Sequence, residues 1–400
     1  MPHPRHFASS PESLGLDPDR LDALFARARR EVDEGRLPSC QLAVARHGRL
    51  AAMRSFGEVT HERRPARASD ETLYVVFSCT KAIVSAAGWL LIQDGKLGVD
   101  ERVAEIVPEF GTNGKDAVTV EQLFLHTAGF PNAPYPAREW TSREKRLERF
   151  ARWRLEFEPG QRYWYHPTSS MWVIAEILER RSGTSYKEFV RSRIAEPLGL
   201  PDLHVGLPRA LHHRLADIEH RGEEPTAEEK RAAGWPEEIP ENEVTEEAVQ
   251  NFNQAHVREG GVPGGGGVMT AGDLALFYQG LLSGRGEDGS EIFAPETLEM
   301  ARRVRTEGLT DPVFRLAPHR GLGIVVAGDE KRVYRGFGHT GSPLLFGHGG
   351  AGGQIGWADP ASGLSLGFCT NGFDRQAVRQ ARRGVALSSR AADLCVDPSA

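Results

Sequence analysis

Cysteine is scarce in this chain and long apolar runs are missing, and each shortage excludes something. Cys40, Cys79, Cys369 and Cys395 are the only four in 400 residues, far apart and without a Cys-x-x-Cys pair, so neither a zinc site nor a disulfide framework is indicated. No uncharged stretch is long enough to cross a bilayer, and Met1-Pro2-His3-Pro4-Arg5-His6 leads into polar residues with no apolar leader core. The cytoplasm is therefore the expected compartment, with no membrane partner. Basic residues do not dominate either: 49 lysines and arginines against 55 acids leave a net charge of −6. With a pI near 6.2 and no basic stripe interleaved with aromatics, nucleic acid is not an expected partner. Two catalytic motifs are also missing, the Gly-x-Ser-x-Gly elbow and the His-Glu-x-x-His zinc pattern. What remains, 40% hydrophobic and 26% charged, is the composition of a globular chain with a large core.

The most informative feature present is Ser78-Cys79-Thr80-Lys81, which opens the apolar run Ala82-Ile83-Val84 through Trp89-Leu90-Leu91-Ile92 and stops at Asp94-Gly95. A helix apolar on nearly every side is buried in a core. Residues three apart share a helix face, with Cβ atoms roughly 5–6 Å apart, so the Lys81 amine reaches the Ser78 hydroxyl. Burial disfavours the ammonium form, which suits a lysine that takes or relays a proton. The free N–H groups of the first turn favour negative charge on a substrate oxygen. Ser-x-x-Lys also arises by chance. A second match, Ser142-Arg143-Glu144-Lys145, opens the charged stretch Arg146-Leu147-Glu148-Arg149 and reads as the start of a surface helix. Cys79, about 100° around the helix from Ser78, reads as a small buried hydrophobe rather than the nucleophile.

Leu21 to Glu34 has the periodicity of an amphipathic helix, and Cys40 to Ala45, His47-Gly48 and Leu50 to Phe56 read as a β-hairpin. From Val103 to Leu282 the pattern is mainly helical. Strand signals return at Gly323 to Ala327, Gly353 to Ala358 and Leu364 to Thr370, followed by a helix from Arg375 to about Leu387. These features predict an α+β fold in which residues 1–102 and 290–400 form one sheet domain and 103–289 a helical insert, with a ligand cleft between them. Residues 205–262 are expected to include a lid: the acidic, proline-rich stretch from Gly222 to Glu247 is either a solvated flap or a cover, with Trp235 and Phe252 as its apolar contacts. No Lys-Ser/Thr pair follows Gly264 to Gly267, so this run reads as a tight turn close to substrate rather than a phosphate loop.

Two further clusters complete the pattern. One is the turn and aromatic segment Pro159-Gly160-Gln161-Arg162-Tyr163-Trp164-Tyr165-His166. The other is Phe346-Gly347-His348-Gly349-Gly350-Ala351-Gly352-Gly353. With Ser78-Cys79-Thr80-Lys81, Tyr165-His166-Pro167 and His348-Gly349-Gly350 in this order, the chain resembles the serine β-lactamase and penicillin-binding protein superfamily. It is most similar to class C β-lactamases and family-VIII-type carboxylesterases. Leu125-His126-Thr127-Ala128-Gly129 and Met269 to Leu274 also look like segments of that family. The resemblance runs from about Leu21 to Asn371. It implies a β-lactamase-like fold, an antiparallel sheet from both termini flanked by helices.

By the same resemblance Ser78 would be the nucleophile, Lys81 its activating partner and Tyr165 the general base and acid. Backbone N–H groups of Ser78 and Ala351 would form an oxyanion hole. His348 would stand where many relatives have lysine and orient Tyr165 or a substrate carboxylate. Gly349, Gly350, Trp235 and Phe252 are expected to touch substrate, Tyr163 and His126 to be structural, and no metal or organic cofactor is implied. Pro167 replaces the asparagine that class C enzymes use to bind an acylamino group, and His348 removes a permanent charge expected for carboxylate-bearing drugs. The expected activity is therefore a carboxylesterase acting on small or medium esters through an acyl-Ser78 intermediate. A transacylase using another acyl acceptor, an amidase or β-lactamase-type hydrolase, and a penicillin-binding protein that stays acylated remain the alternatives.

Overall fold

The computed structural model describes residues 4–236, 238, 244–328 and 330–396. Strands from the two ends of the chain meet in one antiparallel sheet. The first group is β1 (Ser39–Arg46), β2 (Arg49–His61) and β3 (Arg64–Arg67). The second is β4 (Val325–Val326), β5 (Phe346–Gly349), β6 (Ile355–Ala358) and β7 (Leu364–Thr370). Their order is β3-β2-β1-β7-β6-β5-β4. Strands more than 300 residues apart in sequence are thus neighbours at the centre, with Leu42 opposite Phe368 and Val44 opposite Leu366. The β1–β2 turn uses His47 and Gly48, both left-handed with φ of 52° and 74°, the backbone a two-residue hairpin favours.

Five helices matter for the site: α1 (Pro18–Asp33), α2 (Thr80–Gln93), α3 (Ser169–Ser182), α4 (Ala271–Ser283) and α5 (Ala377–Ala392). All eight residues of β1 are buried, which requires cover on both faces. Cys40, Leu42 and Val44 share one core with Leu24, Phe25 and Leu387, from α1 and α5. Ala43 and Ala45 share the other with Leu274 and Phe277 of α4 and the whole apolar body of α2. α1 is capped by the Asp17 carboxylate, which accepts from the N–H groups of Asp19 and Arg20, and buries only Leu21, Leu24, Phe25, Ala28 and Glu31. α2 has no polar face: Thr80 through Leu91 are all buried.

Three features bear on the expected division into sheet domain, insert and lid. α4 lies within the range assigned to the helical insert, yet it packs directly on β1, β6 and β7; its apolar residues cover the sheet face that β1 cannot leave wet. Tyr74–Val75, just before Ser78, pairs with Gly267–Met269, which also pairs with His204–Val205, so hydrogen bonding crosses the expected boundary between sheet domain and insert. The span 205–262 is anchored at both ends: Leu207, Leu215, Ile218, Phe252 and Val257 are core residues, and Arg258 pairs with Asp217 at 2.8 Å. The exposed part is the acidic stretch itself, of which residues 237 and 239–243 lie outside the described residues.

Candidate active site

Ser78 sits in a single tight turn, Phe77–Cys79, that feeds directly into α2. Phe77 is left-handed at φ 44°, a conformation that costs a non-glycine residue on the order of 1–3 kcal/mol and persists only where neighbours hold it. Thr80 Oγ1 does the holding: it donates to Phe77 O at 2.5 Å and accepts from Gly267 N–H at 2.8 Å. The turn is also tied to the sheet. Cys79 Sγ donates to His348 O at 3.1 Å, and a side chain on Gly350 would stand 2.4 Å from Val76 O, so β5 and the Ser78 turn meet backbone to backbone. Burial pushes the Cys79 thiol up to about 12, which leaves it no thiolate to react with.

Lys81 is fully buried. Its Nζ donates to Pro167 O at 2.6 Å and Gly264 O at 2.8 Å, and lies 3.1 Å from Ser78 Oγ. Two carbonyl oxygens, which only accept, thus claim two of the amine hydrogens. The remaining position on nitrogen faces the serine hydroxyl, so the ammonium donates there and the neutral amine accepts there. The glycine run permits this approach, since a side chain on Gly264 would stand 3.0 Å from Pro167 O and 3.4 Å from Lys81 Nζ. Tyr165 Oη lies 3.0 Å from the same Ser78 Oγ, and Lys81 Nζ is 5.0 Å from the centre of the Tyr165 ring. Tyr165 comes from the extended segment ahead of α3, which is pinned where Trp164 N–H donates to His126 O and Gly160 N–H to Thr127 O.

His348 lies on β5, a strand that the pattern did not mark ahead of the one expected at Gly353 to Ala358, and its ring centre is 6.2 Å from that of Tyr165. Burial first, then the Arg320 charge, holds it well below the usual histidine value, so it is neutral. Nδ1 therefore carries the hydrogen given to Gly349 O at 2.7 Å, and Nε2 accepts from Arg320 Nη1 at 3.3 Å. Arg320 is the residue that motif reading missed. Its guanidinium donates to Tyr163 Oη at 2.8 Å and lies 5.6 Å and 5.3 Å from the ring centres of Tyr163 and Tyr165. The permanent cation thought lost with His348 is thus restored from another segment. The absence of charge at position 348 was the only sequence hint that one was needed.

A cavity of about 410 Å³ is lined by Ser78, Tyr163, Tyr165, Arg320, His348, Gly349 and Ala351, among others. Of the four residues expected to touch substrate, Gly349 lines this cavity, and Phe252, Trp235 and Gly350 do not. Phe252 packs edge-on against Phe77 at 5.3 Å, a wall behind the nucleophile. Trp235 packs on Phe314 and lines a neighbouring cavity together with Gly350. Tyr163 is buried apart from its place in the cavity lining, and His126 Nδ1 accepts from His166 N–H at 3.2 Å while its ring lies 4.6 Å from that of Tyr165. Lys145 pairs with Glu148 on the surface, so the second Ser-x-x-Lys is only a helix start, capped by Ser142.

A serine hydroxyl shared by a buried lysine and a tyrosine, under a sheet edge, on an α+β fold with both termini in the sheet, marks a serine hydrolase. More narrowly, the chain belongs to the beta-lactamase family, whose model matches residues 23–390. The esterase EstB of Burkholderia gladioli is 29% identical over 373 residues, 88% of this chain and 90% of that one. A penicillin-binding protein homologue from Caulobacter crescentus superposes with a TM-score of 0.79 at 28% identity, over 94% of this chain and 99% of that one. A family VIII carboxylesterase shares the fold, with a TM-score of 0.74 at 23% identity, covering 93% of this chain and 97% of that one. No described helix is long and apolar enough to cross a membrane, and no group of three or more potential metal ligands occurs among the described residues.

Proposed function

We propose that the protein is a carboxylesterase that forms an acyl-enzyme on Ser78. The observation that carries this is Ser78 Oγ standing within hydrogen-bond reach of both Lys81 Nζ, at 3.1 Å, and Tyr165 Oη, at 3.0 Å. The Tyr165 oxygen, ionised beside the Lys81 and Arg320 cations, takes the Ser78 proton as Oγ attacks the ester carbon. The oxyanion is held by the N–H groups of Ser78 and Ala351, which edge the same cavity. Tyr165 returns the proton to the departing alcohol oxygen. Water then repeats the sequence on the acyl-serine, giving the carboxylic acid and free enzyme. Esters are favoured over β-lactams because Pro167 offers no side-chain group for an acylamino substituent and its carbonyl is already engaged by Lys81.

A second reading is favoured by Arg320. A guanidinium lining the Ser78 cavity suits a substrate that carries its own carboxylate, as an amidase or β-lactamase-type hydrolase would use. One set of assays separates the two. A p-nitrophenyl acetate time course for wild type and Ser78→Ala, with intact mass of quenched wild type, is expected to show steady turnover that disappears in the variant. Equal rates in both proteins with no acetyl adduct would sink the acyl-serine assignment. Ser78-dependent hydrolysis of nitrocefin faster than of the ester would move the second reading ahead.

A further inference from the structure

Beside the Ser78 cavity lies a larger one, of about 770 Å³. The two share Phe314, Tyr334 and Gly349 as their common wall. On its far side the larger cavity is bounded by α5 through Val378, Val385 and Ala386, and Trp235 forms another wall. The Trp235 and Phe314 rings stand edge to face with centres 5.5 Å apart, and Phe314 tilts against Tyr334 at 5.6 Å. A file of three aromatic rings therefore leads from the far cavity to the reacting one. Of the Ser78 site only the Gly349–Gly350 rim borders this space, and an acetyl group would not extend into it.

We propose that this adjoining cavity is a subsite for the apolar part of the ester cleaved at Ser78. The preferred substrates then carry a medium-length chain or a ring rather than a bare acetyl group. The inference rests on the acyl-serine reading above and names its substrate class. Apolar-lined concavities of this size bind hydrocarbon because each methylene leaves water on entering. The chain belongs to either the acyl or the alcohol half of the ester, and two substrate series distinguish these.

p-Nitrophenyl esters from acetate to dodecanoate lengthen the acyl half, and alkyl acetates from ethyl to decyl lengthen the alcohol half. In one series kcat/KM is expected to climb about threefold to fourfold per methylene until the cavity is full. Ala386→Trp, which puts an indole into the cavity from α5, should cut the preference for the long chain over the short by about tenfold or more. Should that variant fail to fold, Trp235→Ala removes the opposite wall and should lower the same ratio. Flat or falling profiles in both series, or a long-chain preference untouched by either variant, would overturn the subsite while Ser78-dependent acetate turnover keeps the acyl-serine reading. Absence of Ser78-dependent turnover and of any acyl adduct throughout would take both down.

Discussion

Lys81 and Tyr165 converge on one oxygen from two segments, and this makes their roles separable. Tyr165→Phe keeps the ring between Lys81 and Arg320 and removes only the oxygen that exchanges a proton in the proposed mechanism. Loss of a positioned acid–base group costs about 10²- to 10⁴-fold, and here it should fall on kcat with KM little changed, as steady-state kinetics on the preferred ester will show. Arg320 touches the Tyr163 oxygen and His348 and lies over the Tyr165 ring. In Arg320→Gln, negative charge on the Tyr165 oxygen loses a neighbouring cation. The acid limb of the pH–kcat/KM profile should therefore move to higher pH, whereas a purely structural role would lower the rate at every pH alike. Ser78 and Lys81 were legible in the sequence because helix geometry fixes what lies three residues apart. Arg320 was not, because no local rule relates it to a histidine 28 positions later.

At the scale of elements, the site depends on how closely α4 and β5 approach their neighbours. A side chain added at Gly367 on β7 would stand 2.1 Å from Ala271 O at the start of α4. Gly367→Ala should therefore lower stability by about 1–3 kcal/mol through overpacking, read as a lower urea midpoint at unchanged slope. The β1–β2 hairpin, α1 and α5 were all legible from periodicity and turn residues, to within a few positions. The short pairing of Tyr74–Val75 with Gly267–Met269 was not, since two- and three-residue strands carry no periodicity. Yet that pairing brings the Gly264 carbonyl to Lys81 and the Gly267 N–H to Thr80, so a feature invisible to pattern reading sets the nucleophile's surroundings.

Across the whole molecule, buried ionisable groups set the response to acid. His126 and His348 are held well below the usual histidine value by burial, reinforced by Arg320, and burial lowers His166 to about 3. Each is neutral in the folded protein, whereas in the unfolded chain it takes up a proton below about pH 6.5. The unfolded state then binds more protons, so stability rises with pH through this window and is lost as pH falls. Asp273 acts in the opposite sense. Burial raises it to about 7, so the folded state holds a proton that the unfolded chain releases above the usual carboxylate range, and its contribution fades as pH rises toward 7. His47, His204, His212 and His220 are also lowered by burial, so against one aspartate the net effect is destabilising in acid. The melting temperature should drop steadily from pH 7 to pH 4.5, and a flat profile would show that these histidines are protonated when folded.

By itself the sequence determined what is local or periodic: a buried helix headed by Ser78 and Lys81, an amphipathic α1, a hairpin turning at His47-Gly48, and ordered motifs that mark the family. These follow from backbone geometry over a few residues, which any fold must respect. Only the tertiary structure decided which distant groups share a space. It set Arg320 over Tyr165 beside His348, placed Phe252 against Phe77 next to Ser78, and put Trp235 in a second cavity. Such encounters depend on how a sheet built from both ends of the chain closes around its helices, where burial and charge compensation act between residues that no spacing in the sequence connects.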